Sequence, residues 1–220
     1  DLSKLMQNCG TAVYGTNYYL YRLVTEACAI VDAPQSFVQS VIKNLTDLYK
    51  MGEGPDFWGG YGASADDLGA FLTALAPYAD DYKTYIDDAV ELLEKNVSDA
   101  GYTSWGSANA DSTAMALMAY SALDDQEKAD KAYDLLCKFE SKTTGVFTYD
   151  GEENALATKD ALTALGYYTD HLIGRIVIDP DDPTEPTTKK NAEKTTANKS
   201  TKETTKKSTS KKSPATGNNA

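Results

Sequence analysis

Histidine is nearly missing from this sequence, with His171 alone, and the three cysteines, Cys9, Cys28 and Cys137, are odd in number and lack metal-ligand spacing. These shortages argue against a zinc site, and no metal or other cofactor is expected. Cys28 and Cys137 read as small buried hydrophobes within helices, with a Cys9–Cys28 bridge as the alternative for the first of them. No apolar run approaches the ~20 residues that cross a bilayer, and no signal peptide opens the chain at Asp1, so a removed signal or a fragment is expected. Positive charge is also short. The formal net charge is -12, which repels phosphate backbones and anionic lipid surfaces, so neither nucleic acid nor direct membrane binding is expected of the folded part.

What is present is unevenly spread. Asp1 to Val177 carries 12 Lys+Arg against 27 Asp+Glu and every aromatic residue, whereas Ile178 to Ala220 has 9 Lys, 6 Asp+Glu and no aromatic residue. The first part can bury a core, and the second cannot offset its own ordering entropy. Two segments are therefore predicted: an all-α domain over 1–176 and a disordered, Pro then Thr/Lys-rich stalk over 177–220.

The first part repeats itself every 45 residues. Ser64 through Leu75 aligns without a gap on Asn109 through Tyr120 and on Asn154 through Leu165, and the same step links Phe57, Tyr102 and Phe147. A fourth copy fits 47 residues earlier, placing Asn17 over Ser64. Asn17, Ser64, Asn109 and Asn154 are residue types that accept from the free N–H groups of a first helical turn, so all four are predicted N-caps. The segment from Thr113 to Leu123 is apolar nearly all round, as in a helix buried on every side. Phe37 to Leu48, Tyr82 to Lys95 and Ala129 to Phe139 are amphipathic, as in helices with one solvated face. Each repeat thus reads as an inner helix followed by an outer one, stacked in two layers. The Gly/aromatic loops over 52–62, 98–106 and 141–151 join each outer helix to the next inner one on a common rim.

An inner helix running Asp111-Ser112-Thr113-Ala114-Met115-Ala116-Leu117 after the loop Tyr102-Thr103-Ser104-Trp105-Gly106 resembles the α/α-toroid repeat. Terpenoid cyclases, protein prenyltransferase β subunits and cobalamin-carrier proteins share that repeat, and bacterial surface proteins with prenyltransferase-like repeats resemble this chain most. The likeness covers about residues 17 to 172 and implies a partial toroid of about three and a half hairpins. The chain departs from the family's catalytic motifs. Ser64-Ala65-Asp66-Asp67 lacks the first Asp of D-x-D-D, the Asp/Cys/His zinc set is missing, and Gln7-Asn8-Cys9-Gly10 is not the thioester G-C-G-E-Q. The resemblance therefore implies the fold more than any enzyme activity.

The tail from Asp179 is Pro-rich, then a Thr/Lys/Ser spacer, and ends Ser213-Pro214-Ala215-Thr216-Gly217. That pentapeptide resembles the L-P-x-T-G signal that sortases cleave between Thr and Gly. It implies an extracellular protein joined to the peptidoglycan of a Gram-positive cell wall, which is its expected partner.

Candidate ligand-binding residues lie on the rim: Trp58, Tyr61, Tyr102, Trp105 and Tyr149 as an aromatic platform, and Asp66, Asp67 and Asp111 at the inner-helix N-termini. Structural capping competes for the aspartates, since negative charge is favoured there. Met115, Met118, Tyr120 and Tyr167 are a second candidate surface for an apolar ligand. The expected function is non-catalytic surface display or binding of a glycan or an apolar small molecule. The alternative is an enzyme on the same scaffold, terpene cyclase-like, prenyltransferase-like or glycan-active through paired carboxylates such as Asp66 and Asp111.

Overall fold

The computed structural model describes residues 18–31, 33–55, 63–178 and 186–188. The chain divides into two units, 1–188 and 189–220, and the second lies wholly outside the described residues, as do Asn17, Cys9 and the pentapeptide 213–217.

The first unit is mostly helical, with seven α-helices and several two- to four-residue strands among the described residues. The helices are α1 (Tyr18–Ile30), α2 (Gln35–Asp47), α3 (Ala65–Leu75), α4 (Lys83–Lys95), α5 (Ala110–Ala122), α6 (Gln126–Leu136) and α7 (Ala155–Arg175). Helices α1, α3, α5 and α7 form a row in which each packs on the next, while α2, α4 and α6 lie against α1, α3 and α5 respectively. No described helix is long and apolar enough to cross a membrane.

The all-round apolar sequence of α5 has its expected consequence: Ala114, Met115, Leu117, Met118 and Tyr120 are all buried. The flanking helices bury one face each, through Phe37, Val41, Ile42 and Leu45 in α2, Ile86, Ala89 and Leu93 in α4, and Ala129, Ala132, Leu135 and Leu136 in α6. At roughly 1.5–3 kcal/mol per large apolar side chain, this shared core is the main force holding the row together.

Three of the predicted caps lie in the described part, and each accepts from its helix. Ser64 accepts from the Asp67 N–H in a reciprocal capping box, Asn109 Oδ1 from the Ser112 N–H at 2.8 Å, and Asn154 Oδ1 from the N–H groups of Leu156 and Ala157. Helix α3 gives way at Ala76-Pro77 to a single 3-10 turn, because the proline cannot continue the α-helical ladder. Helix α5 ends in a Schellman motif: the Asp125 N–H donates to the Tyr120 carbonyl and the Asp124 N–H to that of Ser121, with Asp124 left-handed at φ 58°. Asp125 then caps α6, so the turn between the two helices is only three residues long.

The Gly/aromatic loops are more regular than composition suggested. They hold antiparallel hairpins: β1 (Tyr49–Lys50) with β2 (Gly54–Pro55), β3 (Val97–Ser98) with β4 (Gly101–Ser104) and β5 (Ser107–Ala108), and β6 (Thr148–Tyr149) with β7 (Glu152–Glu153). The repeat extends to their hydrogen bonds. Tyr102 N–H donates to Thr113 Oγ1 at 3.0 Å, and Phe147 N–H donates to Thr158 Oγ1 at 3.0 Å, one step of 45 later. After α7, β8 (Ile176–Ile178) pairs with β9 (Pro186–Thr188), and both lie in the first unit. The β-branched run at 176–178 carries enough strand preference to pair with a short returning segment.

Candidate functional site

The row places three aspartates near the N-terminal ends of three successive helices: Asp66 of α3, Asp111 of α5 and Asp160 of α7. Asp66 and Asp111 are one repeat step apart, whereas Asp160 comes from one turn further into its helix. They are close enough to act on one another electrostatically. Burial pushes the Asp111 carboxyl up to about 6, the charges of Asp160 and Asp66 add to this, and Lys159 opposes it. Asp66 is raised too, by burial first, with the hydroxyls of Ser112 and Ser104 holding it down and the Asp160 charge pushing it up. Ser104 and Ser112 are themselves buried and bonded to one another through their hydroxyl oxygens at 2.8 Å.

Among the described residues, the buried Oδ1 atoms of Asp66 and Asp111 have no hydrogen-bond partner, while the Ser112 and Ser104 hydroxyls act on the Asp66 carboxyl. Such orphaned acceptors are uncommon, and a water, a ligand donor or a proton on the carboxyl itself satisfies them. Among the described residues, no group of three or more His, Cys, Asp or Glu side chains is arranged to hold a metal ion. The groups the site does present are carboxyls and hydroxyls, which suit hydrogen-bond donors or a proton.

Ser104 belongs to the β4–β5 hairpin. Ser104 pairs with Ser107, and the two-residue turn between them has Trp105 at φ 57° and Gly106 at φ 84°, both left-handed as a tight hairpin turn of the primed kind demands. Trp105 is 68% exposed. A bulky residue in this backbone region is strained, and strain of this kind gathers at functional positions. One repeat later, Asp150 (φ 52°) and Gly151 (φ 83°) form the same turn between Tyr149 and Glu152. Aspartate takes up that conformation more readily than tryptophan, so the Ser104–Ser107 pairing imposes on Trp105 a backbone that Asp150 adopts at lower cost.

The other expected site residues divide. Asp67 is buried in the capping box: its Oδ2 accepts from the Ser64 hydroxyl at 2.7 Å, and burial pushes its carboxyl up to about 6 against those bonds. It is a helix cap. Tyr102 is fully buried, and its hydroxyl donates to Glu94 Oε1 at 2.9 Å beside that of Tyr120 at 2.6 Å, so it belongs to the core and not to a rim platform. Met115, Met118 and Tyr120 are likewise core, because the neighbouring helices close over them. Tyr149 is partly exposed on its hairpin. Trp58 and Tyr61 lie outside the described residues. Cys28 is buried as expected, but Cys137 is exposed, since α6 ends at Leu136 and the 3-10 turn that follows rotates residue 137 outward.

Three contributors were missed: Asp160, Ser104 and Ser112. Asp160 was legible in part, as an acidic residue at the repeat position that is Ala70 in α3 and Met115 in α5, both buried. The serines carried no such signal, because their pairing joins a strand to a helix. Comparison with protein families, curated proteins and solved structures finds no match for this chain.

Proposed function

We propose that the chain is a cell-surface binding module whose ligand is polyhydroxylated, a glycan segment, seated over Asp66, Asp111 and the Ser104–Ser112 pair and stacked on Trp105. The observation that carries this reading is the pair of buried Oδ1 atoms on Asp66 and Asp111 that have no donor among the described residues. Sugar hydroxyls supply donors and acceptors together, and an exposed indole offers their C–H faces a flat apolar surface. In the same reading, the row of helices and its flanking helices are two layers of a partial α/α toroid. The stalk carries that domain away from a Gram-positive wall, to which sortase joins Thr216.

Titration calorimetry with soluble peptidoglycan fragments tests the binding. Saturable heat in the wild type, lost in both Asp66→Asn and Trp105→Ala, is the expected result. Absence of binding, or binding that neither substitution changes, refutes it. The anchor has a separate test: incubation of the full-length protein with a sortase and a glycine nucleophile gives a new C-terminus at Thr216, and attachment elsewhere removes the wall assignment.

A second reading is favoured by one observation, the elevation of the Asp111 carboxyl to about 6. A carboxyl raised towards neutrality and still partly protonated in mildly acid solution is suited to protonate a glycosidic oxygen, with Asp66 or Asp160 as the second carboxyl group. Release of reducing ends from wall glycan, abolished in Asp111→Asn, distinguishes cleavage from binding alone.

A further inference from the structure

The repeat exposes an unfinished interface at each end of the row. Within the chain, one face of each row helix is applied to the next helix, and the opposite face receives the one before. The close approach of α3 to α5 identifies these faces, since a Cβ built on Gly69 would stand 2.7 Å from the Met115 carbonyl oxygen. Gly69 marks the applied face of α3, together with Ala65 and Leu72. Met115 marks the receiving face of α5, together with Ala119 one turn on.

Carried along the repeat, the applied face is Ala65 and Leu72 in α3, Ala110 and Leu117 in α5, and Ala155 and Leu162 in α7. The first four are fully buried, but Ala155 is exposed and Leu162 is 60% exposed. The receiving face behaves in mirror fashion. Ala70 and Ala74 of α3, and Met115 and Ala119 of α5, are buried, whereas their equivalents in α1, Leu23 and Ala27, are exposed, Leu23 by 52%. Gly166, further along the applied face of α7, has nothing within 4 Å of a built Cβ. Although the Tyr167 hydroxyl of α7 donates to the Glu26 carboxylate of α1, the chain does not bring these two faces together on itself.

We propose that a second copy of this chain covers them, with α7 of one copy applied through Leu162 to the Leu23–Ala27 face of α1 in the other. The two faces are the two halves of a contact that the chain already makes three times, so each copy carries both the face required and its complement. Lys159 stands where Gly69 and Ala114 stand in the earlier repeats. The copies therefore meet at a wider helix separation than α3 and α5, with the Lys159 stem lying along the apolar contact and its ammonium reaching solvent. This inference does not rest on the glycan reading.

Sedimentation of the full chain over a concentration series tests it. The wild type is expected to self-associate, and Leu162→Glu and Leu23→Glu are each expected to sediment as monomers with unchanged helical circular dichroism. The decisive arm mixes the two variants in equal amounts: one retains an intact α7 face and the other an intact α1 face, so a dimer returns. If a glutamate variant fails to fold, Leu162→Lys and Leu23→Lys replace it. A monomeric wild type at every concentration, including one in which residues before α1 cover Leu23 within the same chain, overturns the proposal. So does association that survives both single substitutions, or a mixture that remains monomeric.

Discussion

Gly69 of α3 and Met115 of α5 meet backbone to backbone, with room for no Cβ between them. Both are buried in the core cluster where α3 and α5 cross, and no flexible side-chain end is available there to give way. Gly69→Ala is therefore expected to lower stability by about 1–3 kcal/mol through overpacking, despite the better helix propensity of alanine. A urea midpoint equal to or above that of the wild type would show that the helices can separate without cost.

The Asn109 cap is independent of that contact. Asn109→Ala removes the acceptor for the Ser112 N–H and is expected to cost about 0.5–2 kcal/mol, with Asn109→Ser restoring most of it. Equal losses for the two variants would mean that the side chain acts through packing and not as a cap.

Glu94 holds two core hydroxyls and one lysine: Oε1 accepts from Tyr102 and Tyr120, and Oε2 from Lys131 at 3.1 Å. Burial raises this carboxyl, but the bonds from Tyr120, Lys131 and Tyr102 outweigh it and leave the group below its ordinary value of 4.5. A lowered carboxyl stabilises the fold above that ordinary value, and the contribution disappears as pH falls through the folded-state value. Glu94→Ala should lower the urea midpoint at pH 7 and narrow the difference from wild type at acid pH. A difference that widens on acidification contradicts this network.

Asp67 has the opposite sign. Its carboxyl, ordinarily at 3.8, is raised to about 6 by burial, so its favourable contribution is complete below about 3.8 and is lost as pH rises through about 6. Relative to Asp67→Asn, the wild type should gain stability between pH 7 and pH 4. Parallel pH profiles for the two proteins would mean that the group titrates normally.

The repeat step of 45, the caps at Ser64, Asn109 and Asn154, and the division into all-round apolar and one-sided helices were all written in the sequence. Each depends on the period of a single helix or on one side chain bonding within three residues of itself, so spacing along the chain suffices to reveal it. The hairpins were hidden because a turn such as Trp105-Gly106 places a bulky residue at positive φ, contrary to residue preference. Their geometry is imposed by the pairing of Ser104 with Ser107.

The sequence alone could nominate Asp66 and Asp111 as rim residues, but nothing in it distinguished them from Asp67, their neighbour in the same first helical turn. The tertiary structure separates them. Asp67 turns back onto Ser64, whereas the Asp66 carboxyl is held by the Ser104 and Ser112 hydroxyls, and the charges of Asp66 and Asp160 act on Asp111. Burial, a missing donor and the field of a neighbouring carboxylate are properties of the space between helices. They depend on which side chains face each other across a packed contact, and a one-dimensional order of residues contains the helices but not their mutual rotation.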